Sequence, residues 1–138
     1  MRRAVRSNAL LWVVQVFLAL FFALASGAPK LFLPVEALSL PIPLPEALIT
    51  CIGVCEVLGA LGLILPGVLR IRTGTTVVAA ACLALLTVCA TVYQLLANQP
   101  QSAVFAATMG LICGAVAYAR WRVVPLPTAS RPLTAARA

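Results

Sequence analysis

Four long apolar blocks, with almost nothing polar between them, decide what this chain can become. They run from about Ala9 to Ala25, Ala47 to Leu65, Thr75 to Ala97 and Ala103 to Ala119. Each is 17 to 23 residues long. At 1.5 Å rise per residue, that is the length needed to cross a hydrocarbon core of roughly 30 Å. A soluble domain of 138 residues would need a polar shell, and here 63% of the residues are hydrophobic and 9% charged. Ordinary globular domains have about one half and one quarter. The surface must therefore face lipid. The expected fold is all-α: an integral membrane four-helix bundle over residues 1–122, with spans at about 9–25, 47–65, 75–97 and 103–119. Residues 123–138, rich in Pro, Ala, Thr and Arg, read as a disordered cytoplasmic tail.

The first block has a rival reading. Arg2, Arg3 and Arg6, an apolar run and then Ala25-Ser-Gly-Ala28 resemble a cleavable secretory signal. The run is longer than a typical signal core and carries Gln15, so a retained span is expected. The charges agree with four spans. Arg2, Arg3 and Arg6 precede block one, Arg70 and Arg72 lie between blocks two and three, and Arg120, Arg122, Arg131 and Arg137 follow block four. Nine of the ten basic residues thus fall on one side, and only Lys30 falls on the other. The positive-inside rule then gives a multi-pass protein of the cell membrane with both termini cytoplasmic.

The segment Pro29–Pro45 carries five prolines, which forbid a continuous helix. Yet it is apolar, with Leu31, Phe32, Leu33, Val35, Leu38, Leu40, Ile42 and Leu44. Such a loop belongs against protein, so an apolar, Pro-rich cap over the outer end of the bundle is expected between spans one and two.

Several chemistries are excluded by residue type. There is no histidine, and the acidic residues are only Glu36, Glu46 and Glu56. His-ligated metals, Ser-His-Asp triads and carboxylate-rich ion sites are therefore out, and no metal is expected. The arginines sit at block ends without interleaved aromatics, so no nucleic acid is expected as partner. Cys51, Cys55, Cys82, Cys89 and Cys113 all lie inside apolar runs and read as buried small hydrophobes, not as a disulfide framework.

The polar residues inside the blocks carry the functional information. Glu56 lies ten residues after Glu46, near the bilayer centre, where a carboxylate costs at least ~2.5 kcal/mol. Gly53, Gly59 and Ala60 beside it leave room for another helix or for a ligand. Lys30 is the one nearby cation; it either snorkels to the interface or pairs with Glu56. Thr87, Thr91, Gln94 and Asn98 recur at spacings of 4, 3 and 4, which places them on one helical face, with Tyr93 beside them. Such a stripe forms interhelical hydrogen bonds or the wall of a polar pocket. Gln15 sits in span one, and Gly110-x-x-x-Gly114 in span four suits close packing within the bundle or in a homodimer.

Trp12-Val-Val-Gln15, Gly27-Ala-Pro-Lys30-Leu31 and Ile52-Gly53-Val-Cys-Glu56-Val-Leu-Gly59 together resemble the DoxX-like family, over roughly residues 8–122. The resemblance implies four membrane helices with functional positions at Lys30 and Glu56. The family takes its name from a subunit of an archaeal thiosulfate:quinone oxidoreductase, and relatives are linked to oxidative-stress complexes or help assemble other membrane proteins.

Three functions follow as expectations. The first is binding of a small lipophilic, quinone-like ligand, accessory to redox metabolism, in an outward-leaning pocket formed by Lys30, Glu56, Gln15, Thr91, Tyr93, Gln94 and Asn98. No metal or covalently bound cofactor is expected; quinone is the ligand this reading implies. The second is acid–base catalysis of an isomerase, epoxide-opening or cyclase type, with Glu56 as general acid or base and Lys30 as its partner. The third is a non-catalytic assembly role for another membrane protein.

Overall fold

In the computed structural model, residues 2–69 and 74–123 are described, with side chains from Asn8 onward. Among them every long element is a helix, and four are long and apolar enough to cross a membrane: Asn8–Phe32, Glu46–Leu69, Gly74–Leu96 and Pro100–Val123. The chain forms an integral membrane four-helix bundle. The tail expected to be disordered, beyond Val123, and Arg70 and Arg72 lie outside the described residues.

Span one is longer than the sequence suggested. Helix α1 (Arg2–Leu20) runs without a break into a widened, π-helical stretch (Phe21–Gly27) and then a short helix α2 (Ala28–Phe32). The expected end at about Ala25 is corrected: the helix passes Pro29 and stops at Phe32, while no continuous helix crosses the rest of the Pro29–Pro45 segment. The physical reason is Pro29. Its ring would clash with the carbonyl four residues back, at Ala25, and it has no N–H to donate. A wider turn moves that carbonyl away. The Ala28 N–H accordingly reaches back five residues to the Ala23 carbonyl. Widened turns of this kind are frequent at functional sites.

Span two is helix α3 (Glu46–Leu69), with Pro66 inside it. Span three is α4 (Gly74–Leu96) and span four is α5 (Pro100–Tyr118), extended by a second π-helical turn (Ala119–Val123) past the expected end at 119. The turn between α4 and α5 is set by Asn98, which adopts a left-handed conformation (φ 58°) that Asn tolerates. The Asn98 N–H donates to the Leu95 carbonyl and the Gln99 N–H to the Gln94 carbonyl. This is a helix-stop motif usually built on glycine. Pro100 then opens α5, where a missing N–H costs nothing.

Small residues set how closely the spans meet. A Cβ on Gly53 would lie 3.0 Å from the Lys30 Cβ, and one on Gly27 would lie 2.9 Å from Val57 and 3.2 Å from the Gly53 carbonyl. The capped half of span one therefore rests directly on the backbone of α3. Leu83 of α4 fills the notch at Gly59. The core is Leu18, Phe22, Ala60, Leu63, Leu83, Met109, Cys113 and Val116, drawn from all four spans. Of the five free cysteines only Cys113 is buried. The expectation of buried thiols is corrected for the other four, which lie on the exterior; lipid tolerates a thiol there as readily as the core does.

The Pro-rich cap holds a single 3-10 turn (Val35–Leu38) followed by Ser39 in a left-handed conformation. Among the described residues, side-chain hydrogen bonds from the bundle pin it at one point. The Tyr93 hydroxyl donates to the Ile42 carbonyl at 2.7 Å and accepts from the Ile42 N–H at 3.1 Å.

Candidate functional site

The polar centre of the bundle lies between span one and α3. Lys30 Nζ donates to both oxygens of Glu56, at 2.7 Å (Oε2) and 2.9 Å (Oε1). Of the two readings open for Lys30, pairing is the one realised. Their side chains are 25% and 9% exposed. A third residue completes the group. Ser26 Oγ donates to Glu56 Oε1 at 3.0 Å and accepts from Lys30 Nζ at 2.8 Å, while the Ser26 carbonyl accepts from Nζ at 3.2 Å. Nothing in the sequence alone singles out Ser26 beyond its position one helical turn before Lys30, which puts both on one face.

Local sequence explains this geometry. Gly27 and Gly53 remove the side chains that would hold the spans apart. The widened turn before Pro29 keeps span one helical long enough to carry Lys30 down onto α3. A carboxylate at this depth is tolerable only against a cation with its remaining lone pairs hydrogen-bonded. Lys30 and Ser26 supply both.

Above the trio is a cavity of about 790 Å³. All four spans and the cap line it. Its walls are mainly Phe21, Phe22, Leu86, Phe105 and Met109, and its roof is Leu38, Leu40 and Leu44 of the cap. Ser26, Lys30 and Glu56 contribute the polar patch on one wall, with Tyr93 and Gln94 of α4 also lining it. The Gln94 Oε1 atom is buried and has no hydrogen-bond partner among the described residues.

The structure does not bring all the sequence-selected residues to this cavity. Lys30, Glu56, Tyr93 and Gln94 line it; Gln15, Thr91 and Asn98 are not among its lining residues. Asn98 is an exposed helix stop. Thr91 Oγ1 donates to the Thr87 carbonyl at 2.7 Å, and Thr87 Oγ1 to the carbonyls of Ala84 and Leu83 at 2.7 and 3.1 Å. The stripe thus satisfies its hydroxyls largely within its own helix, a local option Thr always has, rather than across helices. Gly110 faces Thr87, where a Cβ would meet Oγ1 at 2.6 Å, so its smallness serves packing of α5 on α4.

Gln15 belongs to a second polar cluster, at the basic end. It is fully buried; its Nε2 donates to the Leu63 carbonyl at 2.7 Å and its Oε1 accepts from Arg120 Nε at 2.7 Å. Arg120 Nη1 donates to Asn8 Oδ1 at 2.7 Å, and the guanidinium lies 5.7 Å from the Trp12 ring centre. This latch joins spans one, two and four. Leu63 lies in the turn before Pro66, so the bond from Gln15 reinforces α3 next to the place where Pro66 leaves a helix carbonyl, that of Gly62, without its usual N–H donor. Thr76, also fully buried, has no partner for its hydroxyl among the described residues, and nothing in the structure accounts for it.

No group of His, Cys, Asp and Glu suited to a metal ion occurs among the described residues. The fold and the site together define a small four-span membrane protein with an intramembrane ion pair facing an apolar cavity. Residues 13–117 match the DoxX-like family, and the chain belongs to it. Neither the curated proteins nor the solved structures contain a match to this chain.

Proposed function

We propose that this protein binds a small lipophilic, quinone-like ligand in the capped cavity, with the ligand's polar head against Ser26, Lys30 and Glu56. The observation that carries this reading is a cavity of about 790 Å³, apolar on most sides, with one ion pair set in its wall. Small-molecule sites are built that way, with few polar groups fixing orientation inside a hydrophobic shell of roughly 300–1,000 Å³. The unpartnered Gln94 amide oxygen adds support, because a buried acceptor without a donor costs about 1–3 kcal/mol until something fills it. A ligand hydroxyl would do so; after an amide flip, a ligand carbonyl would do the same.

The chain has no histidine for haem and no Cys-x-x-Cys, so its place in redox metabolism would be that of an accessory that holds or delivers the ligand. Its setting is the cell membrane, with the basic end and both termini cytoplasmic, as the positive-inside rule requires. The test is extraction and titration. Protein purified in mild detergent should release a quinone into organic solvent, or bind added decylubiquinone saturably. A preparation that is empty and also fails to bind the added quinone overturns the reading.

The Ser26 hydroxyl touching both Lys30 and Glu56 favours one alternative, acid–base catalysis on a lipophilic substrate. A proton can pass along three contacting groups. Under this reading Glu56→Gln abolishes turnover of the substrate while binding persists.

A further inference from the structure

The cavity has walls of unequal quality, and they indicate how a ligand gets in. Near the capped end, span one packs on α3 and leaves α5 almost untouched; the two meet mainly nearer the basic end. The Phe21 and Phe105 rings, edge to face with centres 5.5 Å apart, bridge this seam. Beyond them, towards the cap, Ala25 on span one and Gln101 on α5 are exposed and yet line the cavity. Phe105 is itself 51% exposed. Residues that are both lining and exposed mark an opening. A similar combination occurs at Leu48 and Cys89, between α3 and α4. That side is where the cap is tied down, through Tyr93 and Ile42. Among the described residues the seam between spans one and four has no such strap.

We infer that this seam is a lateral gate to the bilayer, with Phe21 and Phe105 as its sill. The ligand it admits is a membrane-dissolved amphiphile, with a hydrogen-bonding head on a hydrocarbon tail. The head passes the seam to reach Lys30 and Glu56, and the tail stays in the seam, lined by Ala25 on span one and by Gln101 and its neighbour Ser102 on α5, or runs out into lipid. A strapped cap disfavours arrival from water, and an apolar tail lying in the seam exchanges lipid contact for protein contact at little cost. This inference rests on the ligand reading proposed above and adds its route and its tail.

The experiment uses the full chain in nanodiscs of phosphatidylcholine and phosphatidylglycerol. Two probes are titrated: decylubiquinone, and the same quinone ring with a methyl group in place of the tail. Ser102→Trp and Ala25→Trp each narrow the seam; Leu111→Trp, on an exposed position outside the cavity lining, is the control. Thermal melting confirms that each variant is folded. The expected result is at least a tenfold loss of affinity or association rate for decylubiquinone in the seam variants. The tailless ring should lose less than threefold in affinity, and the control should match wild type. Phe105→Ala, which removes the sill without adding bulk, should speed association. Seam variants that bind decylubiquinone like wild type overturn the gate while the pocket stands. Equal losses for both probes overturn the assignment of the tail to the seam. A wild-type protein that binds neither probe overturns the pocket reading, and the gate with it.

Discussion

The Lys30–Glu56 pair makes a quantitative prediction. Two unit charges 2.7 Å apart attract by roughly 6 kcal/mol at an effective dielectric near 20. Removing both from water offsets much of that, so the pair as a whole adds little net stability. Removing one member is different, because the other is left buried and uncompensated. Lys30→Met strands a carboxylate whose side chain is 9% exposed, with only the Ser26 hydroxyl left to it. The expected cost is about 3–5 kcal/mol. Glu56→Leu strands an ammonium that is 25% exposed and carried on a long stem. It can turn toward the interface, so the loss should be smaller, about 2–3 kcal/mol. The double variant leaves no stranded charge, and Ser26 can bond back into its own helix. It should lie within about 1 kcal/mol of wild type. The cycle should therefore show a coupling of roughly 4 kcal/mol or more. Reversible unfolding in mixed detergent–dodecyl sulfate micelles, followed by circular dichroism, measures all four corners. Additive single losses, with coupling below about 0.5 kcal/mol, would refute the claim that these groups form one desolvated unit.

Further tests follow from the same geometry. Gly53→Leu places a side chain where even a Cβ would lie 3.0 Å from Lys30. It should force span one off α3, costing about 2 kcal/mol or more in the same unfolding assay, and reduce quinone binding at least tenfold. Tyr93→Phe removes both hydrogen bonds to Ile42. The bundle should keep its melting temperature within a few degrees, while protease cleavage or hydrogen exchange in residues 33–45 rises several-fold; unchanged protection would show that the cap is held by packing alone. Gln15→Leu removes the buried hydrogen bonds to the Leu63 carbonyl and from Arg120 Nε. A destabilisation of about 2–4 kcal/mol is expected, with ligand affinity at the distant cavity unchanged within twofold.

A good part of this protein could be read along the chain. Span number, the cap and the pairing candidates Lys30 and Glu56 follow from hydropathy, proline content and the scarcity of charge, because lipid enforces these one residue at a time. Small neighbours at Gly53 and Gly59 correctly signalled close helix approach. The errors share a cause. Polarity alone groups Gln15, Thr91 and Asn98 with the cavity, yet Gln15 bonds to Leu63 and Arg120, Thr91 to its own helix, and Asn98 shapes a turn. Ser26 is not legible along the chain, because a helical serine looks ordinary until something stands opposite it.

What the sequence by itself determined is therefore which segments enter the membrane and which of their residues are too polar to face it. Only the tertiary structure decided which of those residues meet. That choice depends on how each helix is turned and how closely it approaches its neighbour. Here it is set by a widened turn ahead of Pro29 and by two facing glycines, through contacts 26 and more residues apart in the chain. Hydropathy carries no information about rotation around a helix axis; packing between helices does.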